Sequence, residues 1–248
     1  MHPVQNYWVL NIGGRAYHLS PYLIFNGIGL ICALFLLDSK LKKHLKDAHN
    51  RAYVILVLSI PAGWIGAHLM DALIKGTTLI NAGFTFYGGL ISGLAFFGVV
   101  FLRVGNRSYL FSAINAGVMP LVIGHAVGRM GCYFSGCCYG KVISSSHFLY
   151  PLFRRHPTQL YEALFLFLLF EFMFIKGKLG ISFSDLNLYL VSYGAFRFII
   201  EFLRDDYRGK YLLGLSPSQW ISLLMIMSVL SILYIKGLKT RLPQQQTH

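Results

Sequence analysis

Three runs of this sequence set charged and strongly polar residues inside otherwise apolar segments, and each has the makings of an anion site. In Gly124-His125-Ala126-Val127-Gly128-Arg129-Met130-Gly131-Cys132 and on through Cys137-Cys138-Tyr139-Gly140, residues His125, Arg129 and Cys132 fall at i, i+4 and i+7. A helix continuing through them puts all three on one face. Arginine is the planar, permanently charged donor that suits a phosphate. The five glycines of the run, Gly124, Gly128, Gly131, Gly136 and Gly140, let backbone approach a ligand closely; a helix-packing surface of small residues explains them as well. In His156-Pro157-Thr158-Gln159-Leu160-Tyr161-Glu162, Pro157 suits the first position of a helix and Glu162 is favoured in its early turns by the helix dipole. A plain helix start does not explain Gln159, Tyr161 and Glu162 where the chain enters an apolar run. In Tyr193-Gly194-Ala195-Phe196-Arg197 to Glu201-Phe202-Leu203-Arg204, Arg197, Glu201 and Arg204 at i, i+4 and i+7 make one charged face. A buried Arg–Glu pair is sufficient as a clamp between helices, but two arginines against one carboxylate leave a positive charge that an anion would neutralise.

The cysteines bear on the same region. Cys132, Cys137 and Cys138 crowd the first run while Cys32 stands alone in an apolar stretch, where it reads as packing. C-x4-C-C lacks the usual C-x2-C zinc spacing, although His125 or His156 would complete a four-ligand set. The other readings of the three are apolar packing, a disulfide in an oxidising compartment, and a thiolate activated beside Arg129. No metal and no cofactor is expected.

The elements that must position these groups are membrane helices. Of 248 residues 55% are hydrophobic and 12% charged, against about 25% charged in an ordinary soluble domain. Seven segments, 21–37, 52–74, 83–102, 109–127, 157–175, 186–203 and 218–235, approach the roughly 20 apolar residues that a bilayer crossing requires. The expected fold is therefore an all-α integral membrane protein, a single bundle of about seven transmembrane helices forming one domain over residues 1–248. The first twenty residues lack a basic start and a small-residue cleavage site, so the N-terminus is expected to be retained. Tyr7 to Ser20 alternates around Ile12-Gly13-Gly14, the pattern of a short hairpin at the membrane surface.

Lys40, Lys42, Lys43, Lys46 and Arg51 surround the first connection while the second carries only Lys75, which places the N-terminus outside by the positive-inside rule. Two connections then run against the rule: Lys141, Arg154 and Arg155 follow the fourth span, and Arg204, Arg208 and Lys210 the sixth. Charge on that side suits an anionic headgroup of the outer leaflet. The net charge of +13 does not indicate nucleic acid, because the basic residues sit in separate short connections instead of one stripe. Trp64, Trp220, Tyr53 and Tyr234, near span ends, suit an interfacial aromatic belt.

The three runs, together with Phe84-Thr85-Phe86-Tyr87-Gly88-Gly89-Leu90, resemble in the same order the motifs of the bacterial prolipoprotein diacylglyceryl transferases. The likeness extends over nearly the whole chain, through the hairpin-like start, Asn26-Gly27 and Gly66-Ala67-His68-Leu69. It implies seven spans with the N-terminus outside, in the bacterial cytoplasmic (inner) membrane. It also implies transfer of the diacylglyceryl group of phosphatidylglycerol to the lipobox cysteine thiol of a prolipoprotein signal peptide, with release of glycerol phosphate. Carried over by position, Arg129 and Arg197 hold the phosphate, Glu201 orients Arg197, and Gln159, Tyr161 and Glu162 line the cavity. Asn26, His68, Gly88, Gly89, His125, Cys132, Gly140 and Arg204 stand at further substrate-binding positions.

The departures from the family pattern fall on polar positions of that site. Tyr87 stands where the family has His, Cys132 and Cys137 where it has Asn and an acidic residue, Asn26 where it has Tyr, and His68 where it has Arg. The anion-holding half is intact and the proton-handling half is rewritten, so the general base lies open between Tyr87 and Cys137. Tyrosine, with an unperturbed pKa of about 10 against about 6.5 for histidine, is the poorer base near neutrality. Two other readings keep the headgroup pocket: a transferase with a different acceptor that uses a cysteine nucleophile, and a non-catalytic lipid-binding homologue.

Overall fold

In the computed structural model, residues 6–45, 48–82, 86–104, 107–181, 183–205 and 212–241 are described. The chain opens with an antiparallel hairpin, β1 (Trp8–Ile12) and β2 (Arg15–Leu19), in which Ile12 faces Arg15. That register leaves Gly13-Gly14 as a two-residue turn, and both have positive φ, 57° and 75°. A two-residue turn with both residues left-handed matches the right-handed twist of the strands, and glycine reaches it without strain. The hairpin expected around these glycines is therefore present, with every strand residue exposed.

Among the described residues seven helices follow: α1 (Pro21–Leu45), α2 (His49–Lys75), α3 (Phe86–Val104), α4 (Leu110–Phe134), α5 (Thr158–Lys178), α6 (Asp185–Ile200) and α7 (Pro217–Arg241). Six of them are long and apolar enough to cross a membrane, and α3 adds the shorter apolar stretch Ile91–Val104. Their outward faces carry side chains such as Ile31, Phe35, Leu168, Phe172 and Leu224, each more than half exposed. Water would penalise that surface and lipid would not. The protein is a helical, multi-pass membrane protein; each expected span overlaps a helix, and residues 83–85 of the third lie outside the described residues.

Several boundaries differ from the expectation. Helix α1 continues to Leu45, so Lys40, Lys42 and Lys43 ride on its last turns instead of in a loop. Lys42 there pairs with Asp38 one turn earlier, at 2.6 Å. Lys46, Arg208 and Lys210 lie outside the described residues. Pro157 caps α5 instead of beginning it, its carbonyl accepting from the N–H groups of Leu160 and Tyr161 at 2.9 and 3.1 Å. Helix α6 stops at Ile200, and one 3-10 turn, Glu201–Leu203, delivers Arg204 in extended conformation (φ −83°, ψ 152°). The i, i+7 relation therefore does not extend to Arg204, because the helix carrying Arg197 has ended before it.

Two compact units divide the chain, one of residues 1–31 with 121–248 and one of residues 32–120, the divisions falling inside α1 and α4. The second unit is built on Leu37, Leu41 and Leu45 of α1, Ile55 of α2, Phe97 and Phe101 of α3 and small alanines of α4. Its helices α2 and α3 meet at glycine: a Cβ on Gly63 would lie 3.0 Å from the Gly89 carbonyl oxygen. In the first unit, the start of α1 lies against the end of α4 in the same way. A Cβ on Gly29 would lie 2.8 Å from the Gly124 carbonyl, and one on Gly131 would lie 2.9 Å from Cβ of Phe25. These glycines serve helix packing.

Candidate functional site

Helix α4 does continue through the first polar run, so His125 and Arg129 project from one face toward the start of α5. There they meet Glu162, whose side chain has no exposed surface. Arg129 Nη2 lies 2.9 Å from Glu162 Oε1 and His125 Nε2 lies 3.4 Å from the same oxygen. The hydroxyl of Tyr193, from α6, donates to Oε1 at 2.8 Å. Arg204 Nη1 approaches the other oxygen at 3.9 Å, its side chain 2% exposed. Four side chains, from α4, α6 and the turn after α6, thus converge on one carboxylate of α5. A charge is tolerated away from water only when paired and hydrogen-bonded, and removing one partner of such a set costs about 3–5 kcal/mol.

A second pair stands beside α7. Arg197 Nη1 reaches Glu201 Oε2 at 2.8 Å, as the i, i+4 spacing implies, and Nη2 donates to Ser218 Oγ at 3.1 Å. Ser216 Oγ donates to Glu201 Oε1 at 2.8 Å. Ser216 is also half of a capping box, since its Oγ accepts from the Gln219 N–H at 3.3 Å while Gln219 Oε1 accepts from the Ser216 N–H at 2.9 Å. The cap that starts α7 therefore also anchors the carboxylate that holds Arg197. Among the described residues of these two sets, Arg129, Arg204 and Arg197 stand against Glu162 and Glu201, one arginine more than carboxylates. Arg129 Nε is buried and has no hydrogen-bond partner among the described residues.

The connections after α4 and α6 are laced together by backbone. Gly140 N–H donates to the His156 carbonyl at 2.9 Å, Lys141 N–H to the Leu203 carbonyl at 2.8 Å, and His156 N–H to the Lys141 carbonyl at 3.0 Å. A Cβ on Gly140 would sit 2.5 Å from the Leu203 carbonyl oxygen and 2.7 Å from Cβ of His156. Gly140 is thus explained by the approach of two chain segments. The basic residues expected here for a headgroup are partly engaged by protein: Arg155 pairs with Asp205 at 2.7 Å, and Arg154 lies 4.1 Å over the Tyr150 ring. An open groove of about 580 Å³ on this surface is lined by Tyr133, Phe134, Tyr139, Phe153, Arg154 and Arg155, among others.

Gln159 and Glu162 have no exposed surface, so both engage protein atoms instead of facing open space. Gln159 Nε2 donates to the Cys137 carbonyl, and neighbouring Thr158 Oγ1 donates to the Cys138 carbonyl at 2.8 Å. Tyr161 turns toward His156, its hydroxyl 3.4 Å from Nδ1; burial, then His147, push the His156 imidazole below the usual histidine range. Asn26 Nδ2 donates to the Tyr22 carbonyl at 2.7 Å.

The sulfurs of Cys132, Cys137 and Cys138 lie within 4.8 Å of one another, and no disulfide joins them. Hydrogen bonding to the Cys132 and Cys138 thiols, with burial, pushes the Cys137 thiol well up. Tyr87, Gly88, Gly89 and His68 belong to the second unit. Tyr87 lies in the first turn of α3, the Gly88 carbonyl accepts from Ser92 Oγ, and His68 stacks on Trp64 with ring centroids 6.1 Å apart.

Sequence reasoning missed Ser216, Ser218 and Thr158, and assigned Tyr193 no part. The S-x-x-Q of Ser216 to Gln219 was the available signal for the first; nothing local marks the hydroxyl of Tyr193 as a partner of Glu162.

Comparison with known proteins completes the assignment. The family model for prolipoprotein diacylglyceryl transferase matches residues 9–235. A phosphatidylglycerol–prolipoprotein diacylglyceryl transferase of Clostridium tetani is 30% identical over 220 residues, covering 80% of this chain and 86% of the relative. A second protein of that name from Clostridium perfringens is 28% identical over 244 residues, covering 90% and 93%. A further relative, from Streptococcus equi subsp. zooepidemicus, is 28% identical over 252 residues. With the ordered motifs, the apolar helices and the arginine–carboxylate centre in hand, the match over most of the chain makes this protein a member of the prolipoprotein diacylglyceryl transferase family.

Proposed function

We propose that the chain moves the diacylglyceryl group of phosphatidylglycerol to the thiol of a lipobox cysteine in a prolipoprotein signal peptide, acting in the bacterial cytoplasmic membrane with its N-terminus outside. Family membership and the names of the relatives support the activity. The observation that carries the residue assignment is Arg129. One terminal nitrogen is held by Glu162 while the buried Nε has no partner, so the guanidinium is fixed in place with a donor to spare.

In the reaction the acceptor sulfur forms a bond to a glyceryl carbon as the bond from that carbon to the phosphate oxygen breaks. Glycerol phosphate departs with the electron pair and the thiol proton is released. Charge grows on the departing phosphate, and preorganised donors in a dry site stabilise such growth more than water does. Arg129 and Arg197 supply those donors. Glu162 and Glu201 act as positioning residues, each fixing one arginine. The surplus positive charge of the cluster matches a single phosphodiester.

Expression of the chain in a bacterial strain depleted of its own diacylglyceryl transferase tests the reading. Restored growth and lipidated lipoproteins are expected; membrane-inserted protein that restores neither overturns it.

A further inference from the structure

The three clustered cysteines are not used by the proposed transfer, and two of them, Cys132 and Cys137, replace residue types that the family resemblance leads one to expect. Cys132 lies in the last turn of α4, and Cys137 and Cys138 lie in the connection that follows. The connection is folded back tightly: the Cys137 N–H donates to the Cys132 carbonyl at 3.1 Å, and Gly136 takes a positive φ of 71°. Cys138 itself has φ 64°, a left-handed conformation that costs a non-glycine residue about 1–2 kcal/mol. The carbonyls of Cys137 and Cys138 are pinned from α5 by Gln159 and Thr158. Strain held in place from two sides brings three sulfurs within 4.8 Å of one another.

We propose that Cys132, Cys137 and Cys138 form a three-thiolate site for a thiophilic d10 cation of the zinc and cadmium class. Sulfurs about 2.3 Å from a shared zinc ion stand about 3.8 Å apart, so the cluster needs to contract by about an ångström or less. A disulfide needs one pair; three sulfurs mutually close and held by a constrained backbone are what a metal needs. Three thiolates around a divalent cation leave one negative charge. No histidine or carboxylate belongs to the group among the described residues, so the fourth tetrahedral position is left for an exogenous ligand. The site stands on this geometry and does not depend on the transferase reading.

The test uses the full-length protein, reduced, desalted and titrated in detergent with cadmium alone and then with zinc as competitor. About one cadmium per chain is expected, seen as a thiolate-to-cadmium ultraviolet band that zinc removes. A maleimide should then spare Cys132, Cys137 and Cys138 until a chelator is added. Cys32→Ser should keep the band, and the Cys132→Ser, Cys137→Ser, Cys138→Ser triple variant should lose it. If the triple variant does not fold, protection in the native sequence decides. Equal labelling with and without metal, a band that persists in the triple variant, or a disulfide among the three in protein isolated without reductant would each overturn the proposal.

Discussion

The carboxylate of Glu162 stands 2.9 Å from the guanidinium of Arg129, joining the start of α5 to the face of α4 that carries the anion-binding arginine. The same oxygen takes the Tyr193 hydroxyl. Arg129 is thereby held from one side, with its free donor determined by where Glu162 sits.

Glu162→Gln should leave the largely buried Arg129 short of a counter-charge. A loss of about 3–5 kcal/mol is expected, the cost of breaking a buried ion set by removing one partner. Unfolding in detergent followed by circular dichroism measures it, and a variant as stable as the parent would show that Glu162 is not the hub.

Tyr193→Phe removes only the donor to Glu162 Oε1. The expected destabilisation is about 1–3 kcal/mol, as for a buried acceptor deprived of a partner. In a double-mutant cycle with Glu162→Gln the two effects should fall short of additivity, because both act on one hydrogen bond. Strict additivity would separate the residues.

Arg197→Lys keeps the charge but lacks the planar fork that pairs with Glu201 while donating to Ser218. Transfer should slow by about 100-fold, comparable to loss of one preorganised donor, with little change in the thermal midpoint. An unchanged rate would remove Arg197 from the donors that act on the phosphate.

Alkylation of the cysteines should be ordered by pH. In chelator-treated protein, iodoacetamide should modify Cys138 at pH values below the ordinary thiol range, since its hydrogen bonds and Arg129 favour the thiolate. Cys137, pushed up by the neighbouring thiols, should react only at higher pH. Peptide mass spectrometry across a pH series reads both, and the reverse order would contradict the arrangement.

The residues that sequence reading recovered are those whose relations are set by local period. Arg197 and Glu201 pair because i, i+4 positions on a helix are neighbours, and Gly13-Gly14 turns the hairpin because few residues other than glycine accept that backbone. Apolar length alone located every helix. Helix ends were less legible: α6 gives way to a 3-10 turn before Arg204, and no residue in that stretch marks the change. The pairing of Arg129 with Glu162, the use of the Ser216 hydroxyl by both a cap and Glu201, and the meeting of three sulfurs at a left-handed Cys138 all arise from tertiary packing.

The most direct measurement reconstitutes the purified chain in phosphatidylglycerol vesicles with a peptide carrying a lipobox cysteine, and follows peptide mass and glycerol phosphate together. The account predicts that the parent chain adds one diacylglyceryl group per peptide with matching release of glycerol phosphate, and that Arg129→Ala does neither while remaining folded. No lipidated peptide from the parent chain, or full transfer by Arg129→Ala, would contradict it.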